Sequence, residues 1–362
     1  MHVVAVRENT LAEDHPGRLA SQHALAGEYA TNGQVKEAVQ LLEYVVAVRK
    51  KTLAEDHHDL LASQRGLAGV YQANGQINEA VQLLKHVVTA EKKTLAEDHP
   101  KLLASQQLLA GVYQANGQVK EAVQLLEHVV AAEKKTLAED HPRRLASQQL
   151  LASAYQANGQ VKEAVQLLEH VVAVEKQTLA EDHLSRLSSQ RALAVAYEAN
   201  GQVKEAVQLL EHVVAVHKKT LAEDHFSRLA SQHALASAYQ ANGQVKEAIR
   251  LLEHVVAVRK NTLAEDHPDR LASQYALAGV YQANGQVKEA VQLLEHVVAT
   301  EMKTLAEDHP DRLASQRALA DANEVSENVD RRAQHNKQDQ QTSISSRLAE
   351  KLQSPWRRFR RW

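Results

Sequence analysis

The chain has 362 residues, with 42 Lys or Arg, 45 Asp or Glu, 44% hydrophobic residues and no cysteine. The lack of cysteine excludes disulfides, iron–sulfur clusters, thiolate zinc sites and cysteine nucleophiles, and it favours a reducing compartment. No apolar run approaches the ~18 residues that cross a bilayer, and the first residues lack the layout of a signal peptide, so we expect a cytoplasmic protein.

One hexapeptide recurs through the chain at a fixed interval of 42 residues. Thr-Leu-Ala-Glu-Asp-His occurs eight times, beginning at Thr10, Thr52, Thr94, Thr136, Thr178, Thr220, Thr262 and Thr304. A fixed period between 20 and 50 residues indicates a repeat architecture. Apolar residues within a unit follow helical spacing twice, first over Leu271, Leu277 and Tyr281 and then over Val287, Val291 and Leu294. The sequence therefore predicts an all-α chain with two helices in each repeat.

The predicted elements in chain order are a partial repeat, seven full repeats, a cap and a tail. Residues 1–14 match only the end of the second helix in other units, which suggests a fragment or a truncated gene model. Residues 15–308 hold seven repeats of 42 residues. Residues 309–332 are expected to form a capping helix, because Asp321, Asn323 and Glu324 give it a more polar outer face than earlier first helices, which carry a small residue, Tyr and mostly Gln there. Residues 333–362 are expected to be a disordered polar linker followed by a basic aromatic tail.

Short signals mark where the helices begin and end. Asp-His-Pro before a first helix supplies a capping side chain and a proline in the first turn. Asn284-Gly285, which recurs in the other repeats, stands where a first helix must end, because glycine most easily adopts the left-handed conformation there. These signals place the first helix between Asp-His and Asn-Gly, and the second helix after it.

The last sixteen residues, from Arg347 to Trp362, contain six basic residues and one acidic residue. Trp356, Phe359 and Trp362 lie among them. Cationic and aromatic side chains together are suited to an acidic surface such as phospholipid or nucleic acid. The alternative is an unstructured end without a role.

The spacing Leu277-Ala278-x2-Tyr281-x3-Gly285-x4-Ala290-x3-Leu294 resembles the tetratricopeptide repeat. The resemblance covers about residues 1–320, and the 42-residue unit with its Asp-His-Pro box is similar to that of kinesin light chains. Near-identical tandem copies also resemble the repeat regions of fungal NOD-like receptors. The resemblance implies an α-solenoid, a right-handed superhelix of stacked antiparallel helix pairs, whose first helices line a concave groove for a protein or peptide.

One position of the first helix differs among the copies while its neighbours repeat. This position and the polar residue seven positions later in the same helix together predict a partner-binding groove. The alternative is that exposed positions have changed by neutral drift. The predicted groove residues are His23, Arg65, Gln107, Gln149, Arg191, His233, Tyr275 and Arg317, followed by Gln72, Gln114, Gln156, Glu198, Gln240 and Gln282. We call the first eight the variable row.

The resembled families do not transfer their ligands to this row. The paired asparagines by which kinesin light chains contact cargo are replaced here by residues such as Tyr275 and Ala276. The carboxylate clamp of chaperone-binding tetratricopeptide domains is also missing, because Arg65 is followed by Gly69 where an asparagine is expected. Arg65 and Arg191 are expected to face solvent, and charge-assisted hydrogen bonds from Arg65, Arg191 and Arg317 would suit an acidic segment.

No catalytic residue, metal site, cofactor or small-molecule substrate is predicted. The 20 histidines fall mostly into two repeating rows, in the Asp-His box and in the second helix, without the spacing of a metal site. Eight copies of Glu-Asp are expected to be structural, as is the recurring core glutamine. There is neither a GxxxxGK[ST] loop nor a coiled-coil segment. We therefore expect a non-enzymatic scaffold, with two alternatives: a cargo adaptor, or the regulatory part of an NTPase whose catalytic domain lies outside this chain.

Overall fold

The computed structural model describes residues 2–307 and 309–353, which form sixteen α-helices and contain no strand. This confirms the all-α class and two helices in each repeat. The first helices of the repeats are α2 (Pro16–Thr31), α4 (His58–Ala73), α6 (Pro100–Ala115), α8 (Pro142–Ala157), α10 (Leu184–Ala199), α12 (Phe226–Ala241) and α14 (Pro268–Ala283). The second helices are α1 (His2–Thr10), α3 (Val35–Thr52), α5 (Ile77–Thr94), α7 (Val119–Thr136), α9 (Val161–Thr178), α11 (Val203–Thr220), α13 (Val245–Thr262) and α15 (Val287–Thr304), and α16 (Pro310–Gln353) is last.

Histidine caps each first helix at its N-terminus. In α4, the Nδ1 atom of His57 accepts the backbone N–H of Asp59 at 3.2 Å, and the equivalent bond recurs in the other repeats. The imidazole thus satisfies one of the N–H groups that a helix start leaves without a partner. The box histidine is a capping residue, as the sequence predicts.

Asn-Gly ends each first helix by the predicted left-handed turn. Gly33 has φ +78°, and the backbone N–H of Gln34 donates to the carbonyl of Tyr29 at 2.8 Å while that of Gly33 donates to Ala30. This pair of bonds is the Schellman motif, which needs a residue with positive φ at this place. The turn brings the second helix back against the first within three residues.

Apolar side chains of consecutive helices form one cluster per repeat interface. In the first cluster, Ala38 and Leu42 of α3 are 0% and 2% exposed, and Leu67 of α4 packs with them at 4%. Burying one such leucine contributes roughly 2 kcal/mol. From α1 to α10, and again from α11 to α16, each helix packs against its neighbours in the sequence, so the stabilising contacts are local in sequence, as in a solenoid.

Contacts divide the chain into two compact units, Met1–Gln202 and Val203–Trp362. The first unit holds α1 to α10, and the second holds α11 to α16. Within the first unit, neighbouring first helices also touch, α2 with α4 and α6 with α8. No helix in the described part of the chain is both long enough and apolar enough to span a membrane.

The final helix is longer than the sequence predicts. It packs on α15 at its start and continues to Gln353, so residues 333–353 are helical where a disordered linker was expected. The segment has neither glycine nor proline after Pro310, and its Gln, Arg, Ala and Glu residues favour helix even without an apolar face. Residues 354–362, with the aromatic part of the tail, lie outside the described residues.

Candidate partner-binding surface

The variable row lies on the first helices, but most of it is not open to solvent. The first six members are half-buried, and only Tyr275 (40% exposed) and Arg317 are exposed. Arg65 and Arg191, which were expected to face solvent, therefore do so only in part, and the side chain of Arg65 is 24% exposed. The six polar residues predicted seven positions after the variable row are also mostly covered. Gln240 is exposed, and the half-buried ones are Gln72, Gln114, Gln156, Glu198 and Gln282.

Four members of the variable row contact a buried serine in the next repeat. Nη1 of Arg65 donates to Oγ of Ser105 at 3.2 Å, and Nδ1 of His23 lies 3.4 Å from Oγ of Ser63. The side-chain amides of Gln107 and Gln149 donate to the equivalent serines, Ser147 and Ser189. The polar ends of these four side chains thus contact serines within the molecule.

A second variable row, which the sequence reasoning missed, approaches the same serines from the second helices. Its described members from Arg49 onward are at most 6% exposed although all are polar or charged. Comparing repeats at the position three residues before each Thr-Leu-Ala-Glu-Asp-His would have revealed it. The row consists of Arg7, Arg49, Glu91, Glu133, Glu175, His217, Arg259 and Glu301. We call the two rows together with the serines the serine layer.

The charges of the serine layer are paired or hydrogen-bonded locally. Arg65 lies 3.5 Å from Glu91, and Nε of Arg143 lies 2.9 Å from Oε1 of Glu133, whose side chain is 0% exposed. Nη1 of Arg49 donates to Oγ of Ser63 and to the carbonyl of Asp59, both at 2.6 Å. A buried charge without such partners would be expensive, so these contacts offset part of the cost of burying the charges, and removing one partner would destabilise the protein.

Burial shifts the protonation equilibria of the layer toward neutral forms. Burial raises the pKa of Glu175 and of Glu301, although a serine hydrogen bond to each opposes the shift. Burial lowers the pKa of His23, and the charge of Arg49 lowers it further; burial and Arg259 do the same to the pKa of His233. These directions follow from the cost of charge in an interior that excludes water.

A different face of the first helices borders cavities that repeat with the sequence. Four cavities of about 910, 550, 600 and 550 Å³ lie beside Tyr71, Tyr113, Tyr155 and Tyr239. Each lies between two successive second helices and the first helix that connects them, and none of these four is lined by the variable row. We call them the tyrosine cavities.

Polar contacts surround the tyrosine cavities. The hydroxyl of Tyr155 donates to Oε1 of Glu127 at 2.9 Å, and burial together with this bond raises the pKa of Tyr155 to about 12. His170 lies 3.2 Å from Glu139 of the preceding box. The Tyr113 cavity differs, because Lys85 replaces the glutamate and its ammonium lies 5.5 Å from the tyrosine ring.

One group of three possible metal ligands occurs in the described part of the chain, formed by His57, His58 and Asp59. These residues are consecutive, and Nδ1 of His57 already accepts the backbone N–H of Asp59. The group offers three ligands, fewer than the four of a structural zinc site, and exposed acidic groups of this kind are common without a metal. The group therefore gives no support for a metal centre.

A family model for the tetratricopeptide repeat matches residues 29–93, 59–135, 101–174, 143–219 and 227–300, which together cover more than half of the chain. The chain belongs to the tetratricopeptide repeat family. Its helix pairs are thus tetratricopeptide units, and the predicted resemblance is confirmed. Such repeats bind protein partners. No curated protein matches the chain significantly.

Solved structures extend the comparison of these tetratricopeptide units. A crystal structure of nearly identical TPR-like repeats from Podospora anserina, assigned to a kinesin light chain, is 62% identical over 56% of this chain and 95% of that chain, with a TM-score of 0.50. The apo form of RapI is 10% identical, covers 79% of this chain and 98% of its own, and has a TM-score of 0.58. A signal transduction ATPase with a tetratricopeptide repeat sensor from Pyrococcus horikoshii is 12% identical over 81% of this chain and 42% of its own, with a TM-score of 0.52. The last two show the fold alone.

Proposed function

We propose that the chain is a non-enzymatic scaffold whose first helices bind a protein or peptide segment along the variable row, as the sensor region of a larger fungal NOD-like receptor. The observation that carries this proposal is that the variable row holds four residue types in eight copies, while the core glutamine just before it and the core leucine two residues after it are the same in every copy. A rigid array of shared units with a few changed side chains is suited to distinguishing one partner from another.

The contacts within the serine layer narrow which atoms would meet a partner. Tyr275 and Arg317 are the exposed members and would form the centre of the contact. Arg65 makes its described contacts through Nη1, so its Nε and Nη2 atoms are left for an acidic group of the partner. The half-buried glutamines and histidines would contribute through the edges that their serine contacts leave uncovered.

The receptor assignment draws on the near identity of the repeats and on the similarity to the Podospora anserina repeats. The same similarity favours a second candidate, a kinesin-light-chain-like cargo adaptor. A third alternative is the regulatory part of another NTPase. Gene sequence upstream of Met1 would distinguish them, because a nucleotide-binding domain supports a receptor or NTPase and a heptad region supports an adaptor.

A partner screen followed by calorimetry tests the binding surface. A peptide library would supply a ligand for the full chain, and Tyr275→Ala and Arg317→Ala should each weaken its binding by about 10- to 100-fold, since exposed tyrosine and arginine are frequent hot spots. Lys288→Ala, an exposed change on the second helix of the same repeat, is the matched control. Unchanged affinity in both row variants would refute the proposed surface.

A further inference from the structure

The Tyr113 cavity lacks a carboxylate that the chain supplies to the equivalent tyrosine of five other repeats. The hydroxyl of Tyr71 donates to Oε1 of Glu43 on the preceding second helix at 2.8 Å, as the hydroxyl of Tyr155 donates to Glu127. The same bond, at 2.8, 2.8 and 2.7 Å, joins the pairs Tyr197–Glu169, Tyr239–Glu211 and Tyr281–Glu253. At Tyr113 the residue in the place of the glutamate is Lys85, whose ammonium has no acceptor atom.

We propose that the Tyr113 cavity binds the carboxylate of a glutamate in a partner segment, which takes the place of the glutamate that this repeat lacks. In the bound state the hydroxyl of Tyr113 donates to one carboxylate oxygen, and the ammonium of Lys85 pairs with the other. The variable row does not line this cavity, so the inference does not depend on the proposed function.

The charges that line the Tyr113 cavity favour an anion. Lys85 and Lys92 come from α5 and Glu121 from α7, so the lining has two basic residues and one acidic residue besides His128. The lining of the Tyr155 cavity, by contrast, has two basic and two acidic residues besides its histidine. One incoming carboxylate therefore balances the charges of the Tyr113 cavity. Its hydrogen bonds there are charge-assisted, which makes them roughly twice as strong as bonds between neutral groups.

The groups that meet the carboxylate can be reached from solvent. Lys85 is exposed and Tyr113 is half-buried, and the ammonium of Lys85 lies 5.5 Å from the centre of the Tyr113 ring. The bond between Tyr155 and Glu127, which the partner's carboxylate reproduces at Tyr113, also lies at the exposed surface. A carboxylate bound there keeps part of its hydration, which limits the cost of binding it.

The size and the walls of the cavity suit a glutamate side chain. Its volume is about 550 Å³, and Val88 of α5 and Leu109 of α6 are among the residues that line it. The two methylene groups of a glutamate contact these apolar side chains while the carboxylate reaches the polar groups. A mostly apolar wall with a few polar groups in fixed places is typical of a ligand site.

The other three tyrosine cavities provide a control within the same chain. In each of them a glutamate of the chain already accepts the tyrosine hydroxyl, so an incoming carboxylate finds that donor taken and a like charge beside it. The Tyr239 cavity is the most informative of the three, because Lys218, Arg228 and Arg250 make its lining the most basic. It shows whether positive charge alone is enough, and the proposal requires that it is not.

Titration with a small glutamate derivative tests the assignment on the full chain. The α-amide of N-acetylglutamate would be added to the chain labelled with ¹³C in its nine tyrosine rings, with N-acetylglutaminamide as the neutral ligand of the same shape. Spectra of Tyr113→Phe and Tyr239→Phe identify the two signals that matter. The Tyr113 signal should shift saturably with the glutamate derivative and respond at least about 10-fold more weakly to the neutral ligand. No saturable shift at Tyr113, equal responses to both ligands, or an equal response at Tyr239 would overturn the proposal.

Charge variants of α5 provide a second test. Lys85→Glu gives the helix the glutamate that other repeats carry, so the protein should stay folded while its affinity for the glutamate derivative falls at least about 10-fold. Lys93→Glu makes the same change of charge about two turns further along α5, at an exposed residue that does not line the cavity, and should leave the affinity unchanged. Retained binding in Lys85→Glu, or an equal loss in both variants, would refute the assignment.

The converse change should create the site in the next repeat. Glu127→Lys removes the carboxylate that accepts the hydroxyl of Tyr155, so the Tyr155 signal should begin to respond to the glutamate derivative. Circular dichroism checks that the variant is folded, and a folded variant without this response would contradict the proposal. Tyr275→Ala and Arg317→Ala should change neither response, which separates a failure of this inference from a failure of the proposed function.

Discussion

The serine layer and the tyrosine cavities differ in two respects: whether their residues change between repeats, and whether their buried polar atoms are hydrogen-bonded. In the serine layer the residues change from repeat to repeat, yet they are mostly buried or half-buried and many make a contact inside the molecule, as Gln107 does at Ser147. One carboxylate oxygen of Glu133 nevertheless has no partner within the described residues. At the tyrosine cavities the core glutamine is the same in every repeat, yet the amide of Gln106 is buried without a partner. Variation along a repeat protein therefore does not by itself mark exposure, and repetition does not by itself mark satisfied packing.

The largest effect should come from removing a partner in the serine layer. Arg143→Ala would leave the carboxylate of Glu133 buried without its ion pair, and should lower the free energy of unfolding by about 3 kcal/mol. Lys101 occupies the same position one repeat earlier and is exposed, so Lys101→Ala should change it by less than about 0.5 kcal/mol. Urea unfolding followed by circular dichroism measures both. Similar losses of unfolding free energy in the two variants would contradict the expectation that the serine layer contributes more to stability than an ordinary surface position.

A smaller, pH-dependent effect should come from His233. Folding lowers the pKa of this imidazole through burial and the charge of Arg259, with Asp269 opposing. The unfolded state then takes up the proton first, so the contribution of His233 to stability is present above the ordinary histidine pKa of about 6.5 and is lost as the pH falls below it. The loss amounts to about 1.4 kcal/mol for each unit by which folding lowers the pKa.

His233→Gln isolates this contribution, because glutamine already occupies the same position at Gln107 and Gln149. Unfolding curves at pH 7 and pH 5 should lie closer together for the variant than for the unaltered chain. Tyr275→Gln, a change at the equivalent position that removes no imidazole, should keep the original difference and serves as the control. An unaltered pH dependence in His233→Gln would show that other groups cause it.

The smallest expected effect concerns the rims of the tyrosine cavities. Tyr155→Phe removes the hydrogen bond to Glu127 and should cost about 0.5 to 1 kcal/mol. Tyr113→Phe should cost less, since the ammonium of Lys85 can still face the ring of a phenylalanine. Thermal unfolding of the two variants checks the order. A larger loss for Tyr113→Phe would mean that its hydroxyl has a role that the structure does not show.

The sequence predicts the helices well because their signals are local. The Asn-Gly turn and the box histidine act within a few residues, and apolar spacing identifies the buried face. The orientation of the variable row was harder to predict, since Arg65 is covered by contacts with Ser105, 40 residues away. The second variable row was missed because of its charge. Glutamate is among the residue types least expected in an interior, yet Glu91 and Glu133 are buried.

The tyrosine cavities could not be predicted because they arise from the packing of three helices. Each contributing residue, such as Gln106 or Tyr113, is understandable as part of a helix face by itself. The free volume and the unpartnered amide appear only when the faces are assembled. The helical course of residues 333–353 was missed for another reason, because a polar composition resembles that of disordered linkers even where it also favours helix.

The unbroken 42-residue unit has a genetic consequence. Most members of the serine layer meet backbone groups or a serine that every repeat carries, so recombination between copies could add, delete or reorder whole units without spoiling a junction. Two junctions are clear examples of exceptions. Glu133 relies on Arg143 in the next repeat, and a Cβ atom at Gly66 would lie 2.9 Å from the ring of His23 in the preceding one. Crossing-over at those two places would join mismatched neighbours, so alleles that differ in repeat number should exchange elsewhere and inherit each of these pairs intact.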